Sequence, residues 1–152
     1  MHDIIMTAVG NVATDIRHIQ TTSGISLARF RLASSGRRYD KGTGEWVDLP
    51  PTYVSVVCWR TLADNVASSL AKGDPVVVTG RLRSHDYERD GRSETAYEIE
   101  ATSVGHDLLR GTSAFQRRRR RTAAEGAEPS AGGPVAESDG LRSEPSVERA
   151  VG

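Results

Sequence analysis

The sequence predicts an all-β domain: a five-stranded barrel with one short helix between its third and fourth strands, followed by a C-terminal tail that cannot form a core. Three observations carry this. Apolar and polar residues alternate with period two through several β-branched segments, as in half-buried strands. One stretch alone switches to a helical period. From Thr112 onward large apolar side chains almost vanish.

The elements follow in order. Ile4 to Val12 is apolar and β-rich. Thr21 opens the turn signal TTSG, which leads into Ile25 to Ser34. There Ala28, Phe30 and Leu32 alternate with Leu27, Arg29 and Arg31. DKGTGEW, from Asp40, is a second turn signal. Tyr53 to Trp59 is the third strand. Thr61 is placed to cap a helix with Asp64 three residues on, a variant of the capping box. Leu62, Val66 and Leu70 recur on one face, and Lys72 then Gly73 end the segment. Val76 to Tyr87 alternates again. ERDGRSE contains Asp-Gly, a strong hairpin signal, and Thr95 to Val104 is the last strand. Five strands with a helix between the third and fourth is the element order of an OB-fold barrel.

The folded domain spans residues 1–110 and the tail 111–152. The tail is rich in Gly, Ala, Ser, Glu, Pro and Arg, too polar to offset the entropy of ordering. Formal net charge is +0, but the average hides a division. Residues 1–110 carry 13 basic and 14 acidic side chains, and Arg117 to Arg121 add five positive charges. From Thr122 there are 2 basic and 6 acidic residues. The Arg run reads either as a solvated basic segment or as an electrostatic tether for DNA. Cys58, the single cysteine, excludes an intrachain disulfide, and no Cys/His spacing suggests zinc. No metal or cofactor is expected. The N-terminus has no signal-peptide pattern and no apolar run can span a bilayer, so a cytoplasmic protein without membrane contact is expected.

Side chains on a strand point alternately to opposite faces. Val54, Val56 and Cys58 therefore face inward, with Val76, Val78, Gly80 and Leu82. Tyr53, Ser55, Val57 and Trp59 face outward, with Val77, Thr79, Arg81, Arg83, His85 and Tyr87 and, from the second strand, Arg29 and Arg31. An outer face that interleaves arginines with aromatics suits nucleic acid: guanidinium groups neutralise phosphates and rings stack on bases. The bland alternative is a solvated sheet face, with Trp59 under a loop or in a subunit interface.

IIMTAVGNVATDIR, LARFRLASS, DKGTGEW and VVCWRTLADNVASSLAKGDPVVVTGRLRS resemble the bacterial single-stranded DNA-binding protein family over Asp3 to Gly105. The resemblance implies an OB-fold that assembles as a homotetramer and wraps single-stranded DNA without catalysis. Carried over residue by residue, the family's stacking aromatics fall on Tyr53, Trp59 and Tyr87. A fourth site falls on Arg38, with Tyr39 beside it. Phosphate contacts are expected at Arg29, Arg31, Arg38, Arg81 and Arg83. The N-terminal strand, Asp3 to Val9, is expected to pair edge to edge in a dimer. The chain ends SEPSVERAVG, without the acidic tip and terminal aromatic of the main replicative members. It is in this respect similar to the tip-less second paralogue (SsbB type) of high-GC actinobacteria, so recruitment of partner proteins through that tip is not expected. The roles implied are replication, recombination, repair or a specialised task such as chromosome segregation.

Three other readings compete. An OB barrel can also take RNA or oligosaccharide. An enzyme is disfavoured because His2, His18, His85 and His106 are scattered, no nucleophile motif frames a serine, and no carboxylate cluster suggests two-metal chemistry. A protein-interaction module would use Trp59 as an interface anchor. Cys58 is expected to be a small buried hydrophobe, with an interchain disulfide as the alternative.

Overall fold

The computed structural model describes residues 2–119. The chain divides into two units, Met1–Ala114 and Phe115–Gly152. In the second, the described residues 115–119 are exposed and form neither helix nor strand. Arg120 and Arg121 of the arginine run, and the C-terminal SEPSVERAVG, lie outside the described residues.

The first unit contains the five expected strands and the helix, with three short strands added. In order they are β1 (Ile5–Val12), β2 (Arg17–Gln20), β3 (Ser26–Ser34), β4 (Arg37–Asp40), β5 (Glu45–Asp48), β6 (Thr52–Trp59), α1 (Arg60–Ser69), β7 (Pro75–Arg89) and β8 (Arg92–His106). β2 is the N-terminal arm of a hairpin with β3, turned through the TTSG segment, where Thr21 N–H donates to the Ile25 carbonyl. β4 and β5 form a separate two-stranded sheet around DKGTGEW. There Asp40 Oδ1 accepts from Gly42 N–H at 2.8 Å. β7 and β8 run past the barrel as a long arm. Its tip is a tight turn with φ 52° at Asp90 and 74° at Gly91, the pair of positive values that a type I′ turn needs.

The main sheet has the order β1-β7-β8-β6-β3-β2, and β1 also pairs with β3, which closes the barrel. Closure is short: only Asn11↔Ala33 and Val12↔Leu32 pair across it. The strands meet there because Gly10 has no side chain; a Cβ at that position would overlap the Ala33 carbonyl oxygen. Ser34 Oγ donates to the Val9 carbonyl at 2.7 Å beside it. Gly80 has a matching role where β7 bends. A register shift falls between Thr79 and Gly80, and a Cβ on Gly80 would overlap the Glu100 carbonyl oxygen. A bulge of this kind adds the curvature a closed sheet requires.

Of the residues expected to face inward, Val56, Cys58, Val76, Val78 and Gly80 are buried, while Val54 and Leu82 are only half-buried. Val12, Ala28, Phe30, Leu32, Val56, Cys58, Val76, Val78 and Ile99 are buried, and α1 seals one end with Ala63, Val66 and Leu70. Each of the larger side chains contributes roughly 1.5–3 kcal/mol by burial. Val57 is buried as well, although its parity is outward. Arg29 and Glu100 flank it on the neighbouring strands, and the stems of long charged side chains cover apolar surface.

The helix departs from its expected start. It begins at Arg60, not after a Thr61 cap, and Trp59 at the N-cap position makes no side-chain capping bond. Arg60 has φ 59°, the left-handed region, which costs a non-glycine residue about 1–2 kcal/mol. That conformation turns the chain from β6 directly into the helix. The C-terminal end is at Leu70, before Lys72; Gly73, at φ 97°, lies in the following turn and its N–H donates to the Val12 carbonyl.

Gly80→Ala forces a methyl group into backbone and should cost about 1–3 kcal/mol, read as a drop in urea unfolding midpoint at unchanged m-value. Burial pushes the Cys58 thiol up to about 12 from 9.0. The folded state therefore keeps its proton where the unfolded thiol releases it. The thiol's contribution to stability is full below about pH 9 and is lost as pH rises toward 12. Cys58 should resist iodoacetamide in the folded protein and label only on unfolding, and Cys58→Ala should flatten the alkaline loss of stability.

Candidate nucleic-acid interface

The barrel's outward side chains form rows that cross the strands, because directly paired residues share a face. Ile19, Leu27 and Trp59 make one row over β2, β3 and β6. Arg17, Arg29 and Val57 make the next, continued by Glu100 on β8 and Arg81 on β7. Arg31, Ser55, Glu98 and Arg83 form a third. Ala33 and Tyr53 follow.

All four expected stacking residues are exposed: Tyr53 at 53 %, Tyr39 at 48 %, and Trp59 and Tyr87 at 40 % each. They do not form one cluster. Tyr53 and Trp59 share the β6 outer face, and the Arg31 guanidinium lies 5.5 Å from the Tyr53 ring centroid, a cation–π distance. Tyr87 sits on the β7–β8 arm, where its hydroxyl donates to Glu94 Oε2 at 2.6 Å. That bond, with the carboxylate's charge, pushes the Tyr87 phenol above its ordinary value. Tyr39 is on the β4–β5 hairpin.

The hairpin separates Arg38 from Tyr39. Tyr39 pairs with Trp46 and Arg38 with Val47, so successive residues face opposite sides. Tyr39 and Trp46 meet edge to face, with ring centroids 5.6 Å apart and planes at 61°. Trp46 is 63 % exposed and was not among the residues expected from sequence. The signal was available: Tyr39 and Trp46 stand symmetrically about the KGTG turn, which makes them cross-strand partners once that segment is read as a hairpin and not as a loop.

The five expected arginines fall into two groups. Arg29 approaches Glu98 at 3.7 Å, Arg81 approaches Asp3 at 3.6 Å, and Arg83 approaches both Asp3 at 3.6 Å and Glu100 at 3.4 Å. Arg31 and Arg38 have no carboxylate partner among the described residues. Glu94, Glu98 and Glu100 were not among the residues expected from sequence, although their alternation along the last strand puts them on the outer face. Glu98 and Glu100 place negative charge along β8 in the middle of the face, and Glu94 places it on the arm beside Tyr87. His85 pairs with Ala96 on the arm and is exposed.

Among the described residues no three His, Cys, Asp or Glu side chains gather to hold a metal ion, and no helix is long and apolar enough to cross a membrane. The Tyr87–Glu94 bond makes a direct prediction. Glu94→Gln removes the anionic acceptor and should lower the Tyr87 pKa toward the ordinary tyrosine value, seen as one of four tyrosines shifting in an ultraviolet titration, with Tyr87→Phe to assign it.

Comparison with known proteins agrees with this architecture. The family model described as "Single-strand binding protein family" matches residues 1–107. Single-stranded DNA-binding protein 2 of Streptomyces avermitilis is 45 % identical over 131 residues, which is 86 % of this chain and 82 % of that protein. Single-stranded DNA-binding protein 1 of Streptomyces coelicolor is 44 % identical over 124 residues, 82 % of this chain and 79 % of that one. Two solved structures share the fold. The small single-stranded DNA-binding protein of Streptomyces coelicolor has a TM-score of 0.66 at 43 % identity, over 73 % of this chain and all (100 %) of that one. The second single-stranded DNA-binding protein (SSBb) of Mycobacterium smegmatis has a TM-score of 0.61 at 34 % identity, over 76 % and 100 %. With its OB-type barrel and its match along residues 1–107, the chain belongs to the single-strand binding protein family.

Proposed function

We propose that this chain binds single-stranded DNA without sequence preference and without catalysis, through residues 1–110. The observation that carries the reading is the outer face of β3 and β6. It holds two exposed rings, Tyr53 and Trp59, with Arg31 over one of them. Bases stack on Tyr53, Trp59, Tyr87 and Tyr39, and every base offers a π-face, so the contact is indifferent to sequence. Arg31 and Arg38 meet phosphate first. Arg29, Arg81 and Arg83 exchange a carboxylate for a phosphate; their side chains are 43–50 % exposed and the pairs are longer than 3.3 Å, and such pairs contribute only about 0–1 kcal/mol. Glu98 and Glu100 thus act as placeholders that raise the ionic requirement for binding.

The working form in this reading is a homotetramer. β1 uses one edge fully on β7, but its other edge pairs with β3 only at Asn11 and Val12. The segment before that carries exposed Ile5 and Val9. A free, apolar edge invites pairing with another copy. The protein acts in the cytoplasm on the nucleoid, in replication, recombination, repair or a specialised process such as chromosome segregation.

Trp59→Ala should weaken binding to oligo-dT by about 1–3 kcal/mol, while duplex affinity stays low throughout. Glu98→Gln with Glu100→Gln should tighten binding at low salt, because phosphate then has no carboxylate to displace. Anisotropy of a labelled oligonucleotide measures both. Binding of oligo-dT that is insensitive to Trp59→Ala would overturn the stacking face.

A further inference from the structure

We propose that the shallow cleft between β2 and β3, lined by Arg17, Ile19, Leu27 and Arg29, takes one nucleotide of the bound strand and sets the direction in which that strand leaves Trp59. The proposal rests on the reading above and extends it to residues outside the expected set. The cleft has a volume of about 220 Å³, below the roughly 300–1,000 Å³ of pockets that hold a whole small molecule. It is open on the face that carries Trp59.

The charge arrangement needs an anion. Arg17 and Arg29 are direct cross-strand partners. Like charges in that position destabilise a sheet. Arg29, whose own side chain is half exposed, has Glu98 only at 3.7 Å. Arg17 has no carboxylate partner among the described residues. Its neighbour His18 points to the other side, where Nε2 meets Asp64 Oδ1 on α1 at 3.0 Å. A phosphate seated between the two guanidinium groups would relieve the repulsion by charge-assisted hydrogen bonds to both.

The adjacent row supplies the base site. Ile19, Leu27 and Trp59 are consecutive cross-strand partners. Ile19 is 50 % exposed and adjoins Leu27 and the 40 % exposed Trp59, so the three form one contiguous apolar row. Rows on one face are two residues apart, about 7 Å along the strand, the separation of a base from its own phosphate across a sugar. The path therefore crosses the strands: bases pass from Trp59 over Leu27 to Ile19, and phosphates pass along Arg29 to Arg17.

The test uses the full chain and anisotropy of labelled oligo-dT over a range of salt, with wild type, Arg17→Gln, Ile19→Trp and Trp59→Ala. Arg17→Gln should weaken binding about five- to tenfold at low salt and make the salt slope shallower by about 0.7, the value for one phosphate contact on a single strand. Its thermal midpoint should hold or rise, because a like-charge pair is gone. Ile19→Trp should tighten binding several-fold by extending the stacking row, and this gain remains decisive if Arg17→Gln fails to fold. Wild-type affinity and slope in Arg17→Gln, with Trp59→Ala weakened, would overturn the subsite and leave single-stranded DNA binding standing. Loss of affinity at an unchanged slope would overturn the phosphate contact. No binding of oligo-dT by the wild type would overturn both.

Discussion

Everything in the first unit depends on β1 serving two neighbours. It runs beside β7 along most of its length and reaches β3 only at its last two residues. That crossing converts an open, twisted sheet into a barrel, and it works because backbone meets backbone at Gly10. Closure sends Phe30, Leu32, Val56 and Val78 into one interior, which leaves the opposite parity of the same strands for the outer surface. The bend at Gly80 supplies the complementary curvature on the other side of β1. The Arg and aromatic rows are thus a consequence of the closed core: once the inner parity is committed to packing, the outer parity is free to carry chemistry.

The outer surface is not simply basic. β8 brings Glu94, Glu98 and Glu100 to the same side as Arg29, Arg81 and Arg83, and Asp3 joins from the segment before β1. Three of the arginines are therefore engaged with carboxylates, while Arg17, Arg31 and Arg38 have none among the described residues. Within the main sheet the imbalance falls on β2 and β3, whose outer face continues into Tyr53 and Trp59 of β6. Rings and uncommitted cations coincide there, and that coincidence, not overall charge, favours a polyanion with exposed bases. A formal net charge of +0 is compatible with such a partner because screening confines the relevant field to about 8–10 Å.

Most of the barrel was legible in the chain. Period-two alternation in Ala28–Leu32, Val54–Cys58 and Val76–Leu82 identified the core, because a strand has only two faces and the wrong one exposes valine to water. The Asp-Gly turn was legible because few residues tolerate two positive φ values in succession. The helix was legible in its apolar face but not in its start. Arg60 enters the left-handed region under the demands of the β6–α1 junction, and no local preference announces that. The short strands β2, β4 and β5 have four residues each, too few for a periodic signal of their own.

The candidate site divides along the same line. By itself the sequence determined which side chains face outward, and so placed Trp59, Tyr53, Arg29 and Arg31 on one surface, because alternation is a property of a single strand. Only the tertiary structure decided which outward residues meet. It set Arg17 opposite Arg29, Tyr39 opposite Trp46 rather than beside Arg38, and Glu98 and Glu100 within reach of Arg29 and Arg83. Those neighbours come from register between segments up to dozens of residues apart, and register is set by closure of the barrel, which no single strand contains.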